Sequence, residues 1–188
     1  MKRSIIFLVF AFISATSFAQ IKIADVTLPS TFKAGETELK YNGGGIRKKW
    51  FMDVYVAGLY LKAASKDGNA IAQANEPQNM RIAIISSLVT SERFIESTKE
   101  GFQKSTGGKT QPIQDKIDKF LKIFLKEPIV KGDVYDLTYI PNEGVKVYKN
   151  NKLADVVQGL DFKQALFGIW LGNNPADEKL KSGLLGAK

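Results

Sequence analysis

Alternation comes early in this chain. Ile21, Ile23, Val26 and Leu28 mark a first strand, closed by Pro29. Leu39 to Arg47 and Phe51 to Leu61 read as two more strands. The latter carries Val54, Val56 and Tyr60 on one face, and its other face is also apolar, so both sides are expected to be covered. Asn69 to Ala74 allows one or two helical turns, and the Ile-rich run Arg81 to Leu88 is a strand. The period then changes. Phe94, Ile95, Thr98 and Phe102 share one face of a helix with Ser91 as its expected N-cap and Gly107-Gly108 as its stop. Ile113, Ile117, Phe120, Leu121 and Phe124 stripe a second helix that ends near Lys126, before Pro128. Val134 to Ile140, Gly144 to Tyr148 and Leu153 to Val157 form a meander, with turns at Pro141 to Gly144 and at Asn150-Asn151. Phe162 to Leu171 is a strongly apolar helix with Asp161 as its expected N-cap, and Glu178 to Leu185 is a short terminal one. This order predicts an α+β fold, a mostly antiparallel sheet with helices on one face.

Residues 1–19 stand apart. Lys2 and Arg3 precede the unbroken apolar run Ile5 to Ile13, and small residues lead to Ala19. That arrangement predicts a cleaved secretory signal and a single domain over 20–188, hence a periplasmic or secreted protein. The apolar run is far shorter than the roughly 20 residues of a spanning helix, and no later stretch is long enough, so no stable membrane insertion is expected.

The chain contains no Cys and no His. Thiolate, disulfide, imidazole and His-ligated metal chemistry are therefore excluded, and no cofactor or metal is expected. Formal net charge is +8, of which Lys2 and Arg3 carry two units. Most of the lysines alternate with acids at helical spacing, as in Asp115/Lys119 and Asp118/Lys122, which reads as a solvated face rather than a nucleic-acid stripe. Gly43-Gly44-Gly45 leads into a strand instead of a helix, so it marks a bulge or a close backbone approach by a ligand rather than a phosphate loop. Asp133 and Asp136 are expected at strand edges. Arg47, beside the apolar strand that carries Tyr55, reads by spacing alone as a surface Arg; the other reading places it at a pocket mouth, forked toward an anion.

The runs Gly43-Gly44-Gly45-Ile46-Arg47 and Val54-Tyr55-Val56-Ala57-Gly58-Leu59-Tyr60-Leu61, with Gly159-Leu160-Asp161-Phe162 and Ala165 to Gly172, resemble the chalcone isomerase-like family. The likeness runs from about Gln20 to Leu185 and is nearest to the exported bacterial branch. It implies an open-faced β-sandwich, a large antiparallel sheet curled around a cleft. That family holds isomerases and non-catalytic relatives, some of which bind fatty acids. Carried over by position, the phenolate-stabilising Arg is Arg47, while Tyr55 stands at a Thr position. Phe94 replaces the helix Tyr, Gly101 stands near the Asn position, and Ile169 replaces a Ser/Thr. Phe94, Gly101 and Ile169 lack the hydrogen-bonding groups a flavonoid would need. The resemblance therefore implies a non-catalytic binder of an acidic amphipathic, fatty-acid-like ligand, with Arg47, Tyr55, Phe94 and Ile169 as its binding residues. The alternatives are an isomerase relying on Arg47, or an interaction module whose cleft is filled by its own side chains.

Overall fold

The computed structural model describes residues 20–49 and 51–187. The signal expected over residues 1–19 lies outside them. A hairpin of β1 (Ile21–Ile23) and β2 (Val26–Leu28) comes first and forms its own two-stranded sheet, so the single first strand expected from the sequence is in fact two. Ala24, at φ 50°, turns the chain between them. Seven further strands then pair in sequence order, every neighbour antiparallel: β3 (Thr31–Ala34), β4 (Thr37–Lys49), β5 (Met52–Leu61), β6 (Gln78–Ile84), β7 (Val134–Ile140), β8 (Gly144–Lys149) and β9 (Lys152–Val157). β3 is too short to show a period of its own and was not expected. Asn150 and Asn151 both take positive φ in the β8–β9 turn, the conformation that makes Asn favourable there.

Helix α1 (Gly68–Gln73) joins β5 to β6, and α2 (Ser91–Ser105) and α3 (Gln114–Lys126) join β6 to β7. α4 (Leu160–Leu171) and α5 (Glu178–Leu184) follow the sheet. The odd-numbered side chains of β5, Tyr55, Ala57, Leu59 and Leu61, join the helices in one large core. The even-numbered face is covered at Gly58 by Leu28 of the β1–β2 hairpin, and Tyr60 packs there with Ala34 and Leu39. α4 is wedged between sheet and helices and is buried almost all round, which accounts for its unbroken apolarity.

Two expected caps move by a residue or two. Thr90, not Ser91, caps α2, its hydroxyl accepting from the Arg93 N–H; Ser91 instead accepts from the Ile129 N–H at 3.1 Å. Gly159, with φ 109°, precedes α4, while Asp161 sits in the first turn and pairs with Lys116. The two expected strand-edge acids are buried. Asp136, in the middle of the sheet, takes a two-point fork from Arg81 and a third bond from Asn79. Asp133 accepts from the Val130 N–H and from Asn150.

The triple glycine marks a bulge as expected, but the close approach there is not by a ligand. A register shift falls between Tyr41 and Gly43, and a Cβ at Gly43 would run into the Gly183 and Leu184 carbonyls of α5. The approaching group is thus the chain's own terminal helix. This contact seats α5 against β4 and brings its N-cap, Asp177, to Arg47.

Candidate functional site

A cavity of about 480 Å³ opens between the end of the β4–β5 hairpin, the Leu88-Val89 loop, α2 and α4. It falls within the roughly 300–1,000 Å³ range of small-molecule sites. Arg47, Tyr55, Phe94 and Ile169, four residues distant in sequence, all line it, and Gly101 does as well. Register brings the first two together: Arg47 and Tyr55 are directly paired across β4 and β5, so their side chains share a face. α2 presents Phe94, Thr98 and Gly101 at helical spacing along its inner face. Val54, Val89, Trp170 and Ala176 complete an apolar wall, and Arg93, Glu96, Glu100 and Lys104 also line it.

Each expected residue has a specific local setting. Phe94 packs on Phe124 at 4.7 Å between ring centroids and stacks on Tyr135 at 6.4 Å, a fixed aromatic surface with no hydroxyl. At Gly101 a Cβ would lie 2.8 Å from Ile169, so this glycine lets α2 approach α4 closely. The pair Gly101 and Ile169 therefore forms a helix–helix contact that also walls the cavity.

The polar end of the cavity is the informative part. The Tyr55 hydroxyl accepts a 2.8 Å bond from the Trp170 indole N–H, and Arg47 stands opposite Tyr55 across the β4–β5 pairing. Indole and guanidinium can only donate, so the phenolic hydrogen is left to point at an acceptor other than these two. Burial pushes the Tyr55 phenol up, against the lowering influence of Trp170 and Arg47, so it stays protonated at neutral pH.

Arg47 is partly committed within the protein. Its Nη1 donates to the Lys48 carbonyl at 2.7 Å and to the Asp177 carboxylate at 3.2 Å. Asp177 was not foreseen from the sequence. It caps α5 through the Leu180 N–H and also accepts from the Lys48 N–H. Burial works to raise the Asp177 pKa, but those two N–H groups and the Arg47 guanidinium outweigh it and hold the carboxyl below its ordinary value. The site is thus an Arg–Asp pair with a phenol beside it. Among the described residues no cluster of carboxylates could hold a metal ion, and no helix is long and apolar enough to cross a membrane.

A family model described as chalcone isomerase-like matches residues 19–186. Among solved structures, a fatty-acid binding protein of Arabidopsis thaliana superposes with a TM-score of 0.70 at 17% identity, covering 89% of this chain and 96% of that one. No curated protein matches. The curled seven-stranded antiparallel sheet with its helical layer agrees with the α+β architecture that the sequence predicts.

Proposed function

Starting from the premise that this chain belongs to the chalcone isomerase-like family, we propose that it is a non-catalytic binder of an amphipathic ligand with an acidic, fatty-acid-like head. One observation carries this reading: an apolar cavity ends at a phenol whose own hydrogen is unspent, beside a guanidinium. An apolar tail gains affinity by leaving water, whereas an oxygen acceptor loses hydration and needs donors in exchange. Tyr55 offers the O–H and Arg47 the charge. The solved neighbour described as a fatty-acid binding protein supports the ligand class by analogy of fold. The cavity is open, which speaks against a cleft filled by its own side chains. Phe94, fixed in its aromatic cluster, offers no group to polarise a ketone.

The proposal includes export, with Gln20 as the first residue of the mature protein. N-terminal sequencing of material from the native host tests this, and a chain still starting at Met1 would refute it. The ligand reading is tested by calorimetric titration of delipidated protein with fatty acids and their methyl esters. Acids should bind more tightly than esters. Arg47→Ala should weaken acid binding by about 2–5 kcal/mol, since it leaves one charge of the ligand and one of Asp177 uncompensated. Equal affinity for acid and ester would remove Arg47 from head recognition.

A further inference from the structure

The turn between β4 and β5 carries a residue ill suited to it. Lys49 pairs with Met52, and Phe51 stands in the turn between them, where Asn or Gly is favoured. Phe51 takes φ 67°, a conformation that a bulky side chain rarely adopts, and its side chain is 101% exposed. A strained, fully exposed aromatic gains nothing for the fold, and such outliers point toward function. The tip also belongs to the cavity. Lys49 and Met52 line it from the hairpin, and Leu88 and Val89 line it from the loop after β6. Register places that loop beside the tip, because Tyr55 pairs with Ile84 and the Ile85 N–H bonds to the Val54 carbonyl. Met52 and Leu88 are themselves exposed, at 41% and 43%. Met52 and Leu88 thus form an apolar rim at the entrance, with Phe51 next to Met52 at the hairpin tip, and Lys49, Arg93, Glu96 and Glu100 line the same cavity.

We propose that this rim docks on an anionic phospholipid bilayer, Phe51 entering the interface so that the cavity mouth opens onto the lipid. A protruding single side chain suits a fluid phase that closes around it, whereas a protein partner would need a matching pocket. Charge is complementary as well: without Lys2 and Arg3 the chain from Gln20 onward keeps +6 of the +8, and Lys48-Lys49 lead directly into the tip, at headgroup depth when Phe51 is inserted, although Lys48 shares its charge with Asp53. The inference rests on the ligand reading only for its purpose, the exchange of an amphiphile without passage through water.

The test is cosedimentation with vesicles of phosphatidylcholine, alone and with phosphatidylglycerol, using the protein from Gln20 onward. Wild type should bind, more strongly with phosphatidylglycerol and less as salt is raised. Phe51→Gly should weaken binding about tenfold or more while the unfolding midpoint rises or holds, because glycine accepts a positive φ freely. Phe51→Trp should bind like wild type. Titration of Phe51→Gly with a soluble short-chain fatty acid separates the two readings. Unchanged affinity there with lost vesicle binding supports docking, whereas absence of fatty-acid binding in both proteins refutes the ligand reading and leaves docking to the vesicle result. No vesicle binding by wild type, equal binding by Phe51→Gly, or vesicle-free self-association abolished by Phe51→Gly would overturn the docking proposal.

Discussion

Asp177→Asn isolates the electrostatics of the head site without dismantling its frame. In the wild-type protein the Arg47–Asp177 pair is 3.2 Å apart, with side chains 18% and 14% exposed. A ligand carboxylate on the free edge of the guanidinium would sit about 4 Å from that cation and about 6 Å from Asp177. With an effective dielectric near 20, attraction to Arg47 comes to about 4 kcal/mol and repulsion from Asp177 to about 3 kcal/mol. Asp177 therefore cancels most of what Arg47 offers an acid. Partial exposure screens both terms, so the gain on removing the charge should be about 1–2 kcal/mol, or roughly 5- to 30-fold tighter acid binding. Methyl esters should bind as before. Asn is an N-cap as good as Asp, so α5 should keep its bond to the Leu180 N–H. Calorimetry of acid and ester on both proteins reads the ratio directly. An acid-to-ester ratio unmoved by Asp177→Asn, or lowered by it, would refute the placement of an anionic head at Arg47.

Tyr55→Phe should cost about 0.5–1.5 kcal/mol in acid affinity and about 1–3 kcal/mol in stability, because the buried Trp170 N–H loses its acceptor; calorimetry and urea unfolding measure the two. Gly43→Ala should destabilise by about 1–3 kcal/mol in urea and also weaken acid binding, since the new methyl pushes α5, and Asp177 with it, away from β4. Lys163, wholly buried in α4, donates to the carbonyls of Ile71, Ala72 and Ala74, and burial draws its pKa down to about 7. The unfolded chain then binds the extra proton between pH 7 and 10.5, so stability relative to Lys163→Met should rise with pH across that window in urea titrations; a flat difference would mean the carbonyl cage keeps the ammonium charged.

What could be read from the sequence was whatever local chemistry dictates. The meander from Val134 to Val157 is announced by alternation and by Asn150-Asn151 at positive φ, and the glycine stops of α2 lie beyond Ser105 as expected. The cap of α2 was ambiguous because Thr90 and Ser91 are both competent. The choice is made by Ile129, which is 38 residues from Ser91 and needs its hydroxyl. Asp136 looked like an edge residue because its partners, Arg81 and Asn79, are reached only through the β6–β7 register. The cavity residues became visible through resemblance rather than through spacing, since nothing local connects Arg47 to Phe94 or Ile169. Asp177 escaped both routes: it stands 130 residues from Arg47, in a polar connection that shows no period.

The contrast between the two sheet arginines explains why residue type alone could not locate the site. Arg81 lies on β6 and gives both edges of its fork to one carboxylate, at 2.9 and 2.8 Å, and Asn79 further ties down that same carboxylate. That fork is closed on a buried carboxylate within the sheet, so its role is to hold the sheet. Arg47 gives Nη1 to Asp177 and the Lys48 carbonyl, and across the strand pairing from it stands a phenol that has a hydrogen to donate. A guanidinium satisfied on one side and opening on the other into an apolar cavity is restrained in orientation before any ligand arrives. That restraint reduces the ordering a ligand must impose, which is where preorganised sites gain affinity. Asp177 is then both the anchor that aims Arg47 and, if the proposed acid sits there, the charge that tempers Arg47's pull on it, a combination that would suit a binder that must also release its ligand.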